Sequence, residues 1–416
     1  MRDDCRSTYF RWSWSAFVVL LMLSTWRLWT SQHGFPQVPL LQFGHWWPRQ
    51  LDAVVSVLAL FFCLAATSIG RPSRLRCAIY LGFSVAMGML FASDQHRLQP
   101  WAFQFTVIAI IFACCERRDT MKLCRWLVIG IYIYSAVSKL DAAFFASVGR
   151  ELANTMVGIV GVELSRFPPA VQNAVIGSFP LIELLLGLAL LFKVAPRGTV
   201  VVAMLMHFGL LLVLSPLGLD HKMGVLLWNV CFLVQIPILF WPFVDDANSA
   251  EETPSVGQSV RGNRSVGAWL AHAVVAIVLV VPAFEPWGFC DHWIAWGLYA
   301  PRSSRAELHL HSNQLPKIPD TIPHKASTKW QGWHRIDLSS WSLNELSVPI
   351  YPQSRFQLGV VESLIEECEL DESGIHLTIM NASDRFTGAR KTTDISRTYQ
   401  RKNAVAQFWF GSTPRE

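Results

Sequence analysis

Tyr132, Ser135 and Lys139 stand at i, i+3 and i+7 in the run CRWLVIGIYIYSAVSKLDAAFF, residues 124–145. That spacing puts three polar side chains on one face of an otherwise apolar helix. A lysine desolvated at such a place can have its pKa lowered and act as a base. Asp141, two residues on, favours the charged lysine instead. Two readings stay open at this point: a functional group in an apolar setting, or an anchor whose long stem snorkels to the membrane surface.

Other residues of this kind recur along the chain. Glu183 lies in SFPLIELLLGLALLF and His207 in AMLMHFGLLLVL. At about 1.5 Å of rise per residue they sit roughly 12 and 14 Å below the same end of their helices. They could be partners, or His207 could be an interhelical hydrogen bonder. Asn229 follows in the next apolar run. Two polar turns, FASDQHRLQPW with Asp94, His96 and Arg97, and SPLGLDHKMG with Asp220 and His221, complete the set.

These residues need a scaffold of membrane helices. The 416-residue chain is 52% hydrophobic and 16% charged, which excludes a simple soluble domain. Apolar runs near the ~20 residues needed to cross a bilayer predict nine spans: 14–30, 51–69, 75–93, 101–115, 123–141, 175–192, 198–216, 223–243 and 266–284. With the N-terminus inside, the inner segments carry fourteen lysines and arginines against five in the outer loops before the tail, which predicts an N-in, C-out protein. The expected fold is therefore an all-α polytopic bundle over 1–285, with a core at about 75–243. A cytoplasmic linker at 244–266 and a small β-rich extracytoplasmic domain at 286–416 complete it. The strand-like runs of that domain are 306–311, 374–379 and 405–410, where apolar and polar residues alternate. The outer loop 31–50, with His33 and His45, reads as an apolar lid, and 142–172 as a segment covering the bundle mouth.

The nine cysteines lack the spacing of a zinc site, and no metal ligand set is expected. Cys290 and Cys368 fall in the exported part and could form one disulfide. The Asn263-Arg264-Ser265 sequon lies in the inner loop, where glycosylation does not reach it. Phosphate loops, a serine-hydrolase elbow and nucleic-acid patches are absent.

The run YIYSAVSKLDAAF, the later PLIELLLGLALLF and the span bearing MLMHFGLLL resemble the HTTM fold shared with vitamin K-dependent gamma-carboxylase. The PLIELLLGLALL pattern is also similar to the MauE/DoxX redox-associated membrane proteins. Both likenesses cover roughly 75–243. The carboxylase likeness implies that Lys139 matches the lysine that deprotonates a reduced quinone, with His96 or His207 near the quinone or glutamate substrate. The carboxylase's large lumenal part is replaced here by about 130 residues of tail.

The sequence thus points to an outward-facing polar pocket in a bacterial inner-membrane protein, binding a quinone or another lipid-soluble redox molecule. Lys139, His96 and His207 are its candidate catalytic residues. Asp94, Arg97, Asp141, Glu183, Asp220, His221 and Asn229 are its candidate binding residues. The alternative is a non-enzymatic scaffold whose exported domain recruits a protein partner.

Overall fold

The computed structural model describes residues 3–31, 34–68, 74–241 and 266–415. His33, the linker with its sequon, and Arg2, Arg71, Arg261 and Arg264 of the charge count lie outside the described residues.

Among the described residues, helix occupies most of each of the nine expected stretches. α1 (Asp3–Ser24) breaks at Thr25, whose hydroxyl donates to the Leu21 carbonyl, and resumes as α2 (Trp26–Trp29). There follow α3 (Gln50–Ser68), α4 (Arg74–Ser93), α5 (Pro100–Cys114) and α6 (Arg117–Ser138). After the short α7 (Ala142–Ala146) and α8 (Val148–Gly158) come α9 (Pro169–Leu191), α10 (Pro196–Leu214), α11 (Met223–Phe240) and α12 (Val266–Val280). Among the described residues, seven helices are long and apolar enough to cross a membrane, α12 together with the 3-10 turn that extends it to Trp287. This is a multi-pass membrane protein with a mostly helical architecture. α5 is only 15 residues long, and its side chains are nearly all buried, so it runs through the middle of the bundle rather than facing lipid. α1 carries Arg6 and Arg11 within its length, which dilutes its apolar character.

The far end of the bundle uses its arginines structurally. Arg6 of α1 donates to the carbonyls of Ile238 and Leu239, and Arg125 of α6 also reaches Leu239, so two cations close the C-terminus of α11.

The tail is an α+β unit, which corrects the β-rich expectation. Its antiparallel sheet has the order β2-β3-β1-β4-β5, with β1 Arg305–His311, β2 His324–Ala326, β3 Trp333–Ile336, β4 Ile375–Met380 and β5 Thr392–Asp394. Three helices, α13 (Leu338–Leu346), α14 (Ser354–Glu367) and α15 (Thr398–Ala406), contribute more residues than the strands. Two of the expected strands are β1 and β4. The third, 405–410, is the end of α15 and the coil after it. Its alternation comes from surface aromatics, since Trp409 is fully exposed.

The boundary near residue 285 is not a boundary in the core. One apolar cluster runs from Phe10 and Trp14 of α1 to Leu358, Leu377 and Ala404 of the tail. The tail docks on the end of the bundle that carries the 94–97 turn, the 34–49 loop and the C-terminus of α6. Trp341 donates to the Gly34 carbonyl, Gln95 to those of Pro39 and Gly411, and the Ala142 amide to that of Arg385. Segment 142–172 packs Phe144, Leu152 and Leu164 against Ile176 of α9 and Leu214 of α10, covering that end of the bundle as expected.

Candidate functional site

The Lys139-Leu140-Asp141 run is a joint between helices. Lys139 is the C-cap of α6, where a cation suits the helix dipole. Asp141 is the N-cap of α7, its carboxylate accepting from the Phe144 amide at 2.8 Å. Asp141 therefore does not pair with Lys139, and its second oxygen is buried without a hydrogen-bond partner among the described residues.

Lys139 turns along α6 instead. Its Nζ donates to Ser135 Oγ at 2.6 Å, to the Ser135 carbonyl at 3.2 Å and to Glu183 Oε2 at 2.7 Å. Three acceptors use all three N–H groups of an ammonium. Ser135 Oγ in turn donates to Glu183 Oε2 at 3.1 Å, closing a triangle across α6 and α9. Lys139 is buried, and Glu183 reaches slightly further toward solvent. The close approach of the two helices depends on Gly187, one turn along α9: a Cβ there would lie 2.9 Å from Ile133 Cγ1. Pro180, one turn before Glu183, removes the helical donor of the Ile176 carbonyl and loosens α9 on that side.

A second chain of hydrogen bonds runs beside the first. Tyr132 Oη lies 2.7 Å from His207 Nε2, and His207 Nδ1 lies 3.1 Å from Asn229 Oδ1. The Asn229 amide nitrogen donates to the Val225 carbonyl, which turns its oxygen toward the imidazole. That assignment makes Nδ1 the protonated nitrogen of His207, and Nε2 accepts the Tyr132 hydroxyl. Phe232 of α11 stacks on the imidazole at 4.8 Å with an interplanar angle of 2°.

Both chains reach one cavity of about 50 Å3, walled by Tyr132, Ser135, Glu183, His207, Asn229 and Phe232. It has room for a few water-sized groups. Leu298 and Tyr299 of the tail also line it, and His221 stacks on Tyr299 at 6.1 Å. Glu183 and His207 are not direct partners; they share the cavity. Lys139 supports the wall from behind through Ser135 and Glu183.

The remaining candidates fall elsewhere. Asp94, His96 and Arg97 belong to the joint between bundle and tail. His96 Nε2 meets the Pro349 carbonyl at 2.9 Å and Ser342 Oγ at 3.3 Å, and its ring packs on Phe35 and Phe356. Asp94 accepts from the amides of Val38 and His96. Arg97 is fully buried on Asp52, together with Arg415. Asp220 is exposed at a positive φ of 49° in the α10–α11 turn. Cys290 and Cys368 are both free thiols, so the one disulfide the sequence leaves possible is not formed. Among the described residues no cluster of three metal-ligating side chains occurs. Sequence reasoning missed Tyr299 and Leu298, although the aromatic stretch WIAWGLYAP that holds them is conspicuous after the last span.

The Asp94–His96 turn sets a pH dependence outside the membrane helices. Burial raises the Asp94 carboxyl to about 6 and lowers the His96 imidazole to about 4. From pH 4 to 6 the folded state therefore holds a proton on Asp94 that the unfolded state has lost, so this contribution falls as pH rises. Over the same window the unfolded state holds a proton on His96 that the folded state lacks, so this contribution rises with pH. The two oppose each other. Replacing His96 with glutamine is expected to leave Asp94 unopposed, so that the stability of the variant relative to the parent declines from pH 4 to 6. Thermal unfolding in detergent across that range checks it, and a flat difference would refute the assignment.

Comparison of the chain with protein-family models, with curated proteins and with solved structures gives no match.

Proposed function

We propose that this chain is a membrane protein that admits the oxygen-bearing edge of a lipid-soluble molecule of the quinone class into the cavity between α6, α9, α10 and α11. The observation that carries this reading is the convergence of two hydrogen-bonded chains, Lys139–Ser135–Glu183 and Asn229–His207–Tyr132, on one apolar-walled cavity. Buried ionisable groups inside a membrane bundle are costly and mark functional sites. The likeness to the HTTM and MauE/DoxX proteins points the same way. The arginine-rich far end supports the N-in, C-out orientation, with the tail outside the cytoplasmic membrane of a bacterium.

In this reading Glu183 is the base. Lys139 has its three N–H groups engaged and presents no lone pair, whereas the Glu183 carboxylate lies in the cavity wall. The O–H bond of a bound hydroquinone breaks, its proton passes to Glu183, and the Lys139 ammonium lies close enough to offset the negative charge left on the ligand oxygen. The Tyr132 hydroxyl, which donates to His207 Nε2, is placed to hydrogen-bond a second ligand oxygen.

Native mass spectrometry of the gently extracted protein tests this. The parent is expected to carry a quinone-class adduct, and Leu210→Trp, which fills the cavity from α10, is expected to lose it. A parent without such an adduct, or one equally retained in Leu210→Trp, would overturn the reading.

A further inference from the structure

α6 presents a second cavity on its other side. It has a volume of about 60 Å3 and is walled by Tyr134, Val137 and Ser138 of α6, by Glu285 and Pro286 after α12, and by His292 and Arg385 of the tail. None of these residues lines the quinone-type cavity. The two cavities are separated by the segment 295–299, whose Ala295 and Gly297 face this one and whose Leu298 and Tyr299 face the other.

Its wall carries Glu285 and Arg385, of opposite charge, but the two are not joined in an ion pair. Glu285 is held by His292 Nδ1 at 3.2 Å and by Arg302 Nη1 at 3.0 Å, so its carboxylate already has a full cationic partner. Arg385 lies near enough to interact with Glu285 but makes no ion pair among the described residues. One of its terminal nitrogens donates to the Val137 carbonyl at a long 3.4 Å, and its Nε is buried with no hydrogen-bond partner among the described residues. Its neighbour Asp384 is turned to the amides of Phe386 and Thr387 in its own loop. A guanidinium with unused donors at a cavity wall is suited to a phosphate or carboxylate, which it binds through paired N–H groups.

The position of the cavity narrows the choice. It lies where α6 and α12, two helices long and apolar enough to cross a membrane, end, beside the joint at which the tail meets the bundle. Three of the residues next to its wall in the chain are exposed aromatics: Phe284, Trp287 and Phe386, the last two 71% and 91% exposed. Aromatic rings at the ends of such helices suit the membrane interface, and a loop tip as exposed as Phe386 is apolar surface that acyl chains would cover.

We propose that this cavity binds the phosphodiester of a glycerophospholipid, with Arg385 as the phosphate ligand and Phe386 against the acyl chains. The bound lipid would pin the 384–389 loop, and through it the tail, to the end of α6, where the Ala142 amide already donates to the Arg385 carbonyl.

The test uses the full-length, delipidated protein in detergent and native mass spectrometry, with short-chain phosphatidylglycerol, the matching diacylglycerol and inorganic phosphate as probes. Phosphatidylglycerol is expected to bind the parent, and binding should weaken about tenfold in Arg385→Gln and less in Arg385→Lys, which keeps the charge. Phe386→Ser alters a solvent-facing side chain, so it should fold normally whatever Arg385→Gln does, and is expected to weaken lipid binding several-fold. Diacylglycerol and inorganic phosphate should bind at least tenfold more weakly than the phospholipid. Equal binding of inorganic phosphate or diacylglycerol, or lipid binding unaffected in Phe386→Ser and Arg385→Gln, would overturn the proposal.

Discussion

Asp52→Asn is expected to cost about 3–5 kcal/mol, because it strips the carboxylate from two buried guanidiniums. Asp52 Oδ2 accepts from Arg97 Nη2 at 2.6 Å and from Arg415 Nη2 at 2.6 Å, and all three side chains are closed to solvent. Trp47 Nε1 and Gln37 Nε2 donate to the same carboxylate at 3.1 and 3.2 Å. Asparagine would present its own N–H2 to one of these donors and leave two cations facing each other. Arg415→Gln removes the opposite partner and leaves Asp52 and Arg97 as a balanced pair. Its expected loss is smaller, about 1–3 kcal/mol for the buried hydrogen bonds. Thermal or denaturant unfolding in detergent gives the order. If Arg415→Gln proves the more damaging, Asp52 is not the hub of this joint.

This cluster ties the 34–49 loop, α3, the 94–97 turn and Arg415 into one unit, and nothing near Asp52 in the sequence announces it. Its partner Arg415 is 363 positions away. Local patterning cannot see such a contact. What is legible is the local part: apolar runs give the helices, and the alternation in RAELHLH and IHLTIM gives β1 and β4. The 405–410 run misleads because alternation reports burial only when one side is covered, and here Trp409 is bare.

The grouping of polar residues at one end of the bundle was legible, but not its division. His96 and Lys139 both lie at the tail-bearing end, yet the tail takes His96, Asp94 and Arg97 for its own docking. Glu183, His207 and Asn229 remain with α6 because Gly187 lets α9 close on it. Whether a polar end becomes a pocket or a seam depends on what packs on it. The α14 and 342–356 contacts that decide this for His96 come from a domain more than 200 residues downstream.

Lys139 shows why one substitution cannot separate support from chemistry. Lys139→Met leaves the Glu183 carboxylate in a largely buried place with only the Ser135 hydroxyl, at a cost on the order of 3 kcal/mol. Lost turnover in that variant could then reflect a disturbed fold. Adding Glu183→Gln removes the uncompensated charge, and the amide oxygen still accepts from Ser135. The double variant is expected to recover most of the lost stability, giving a coupling of about 1–3 kcal/mol in a double-mutant cycle. Ligand behaviour then divides the roles. If the pair exchanges protons with a bound hydroquinone, the double variant retains the quinone in its cavity but no longer deprotonates the reduced form, because base and counter-cation are both gone. Deprotonation that survives in the restored double variant would mean that Lys139 and Glu183 only join α6 to α9, and the Tyr132–His207 pair would be the proton-handling group of the cavity.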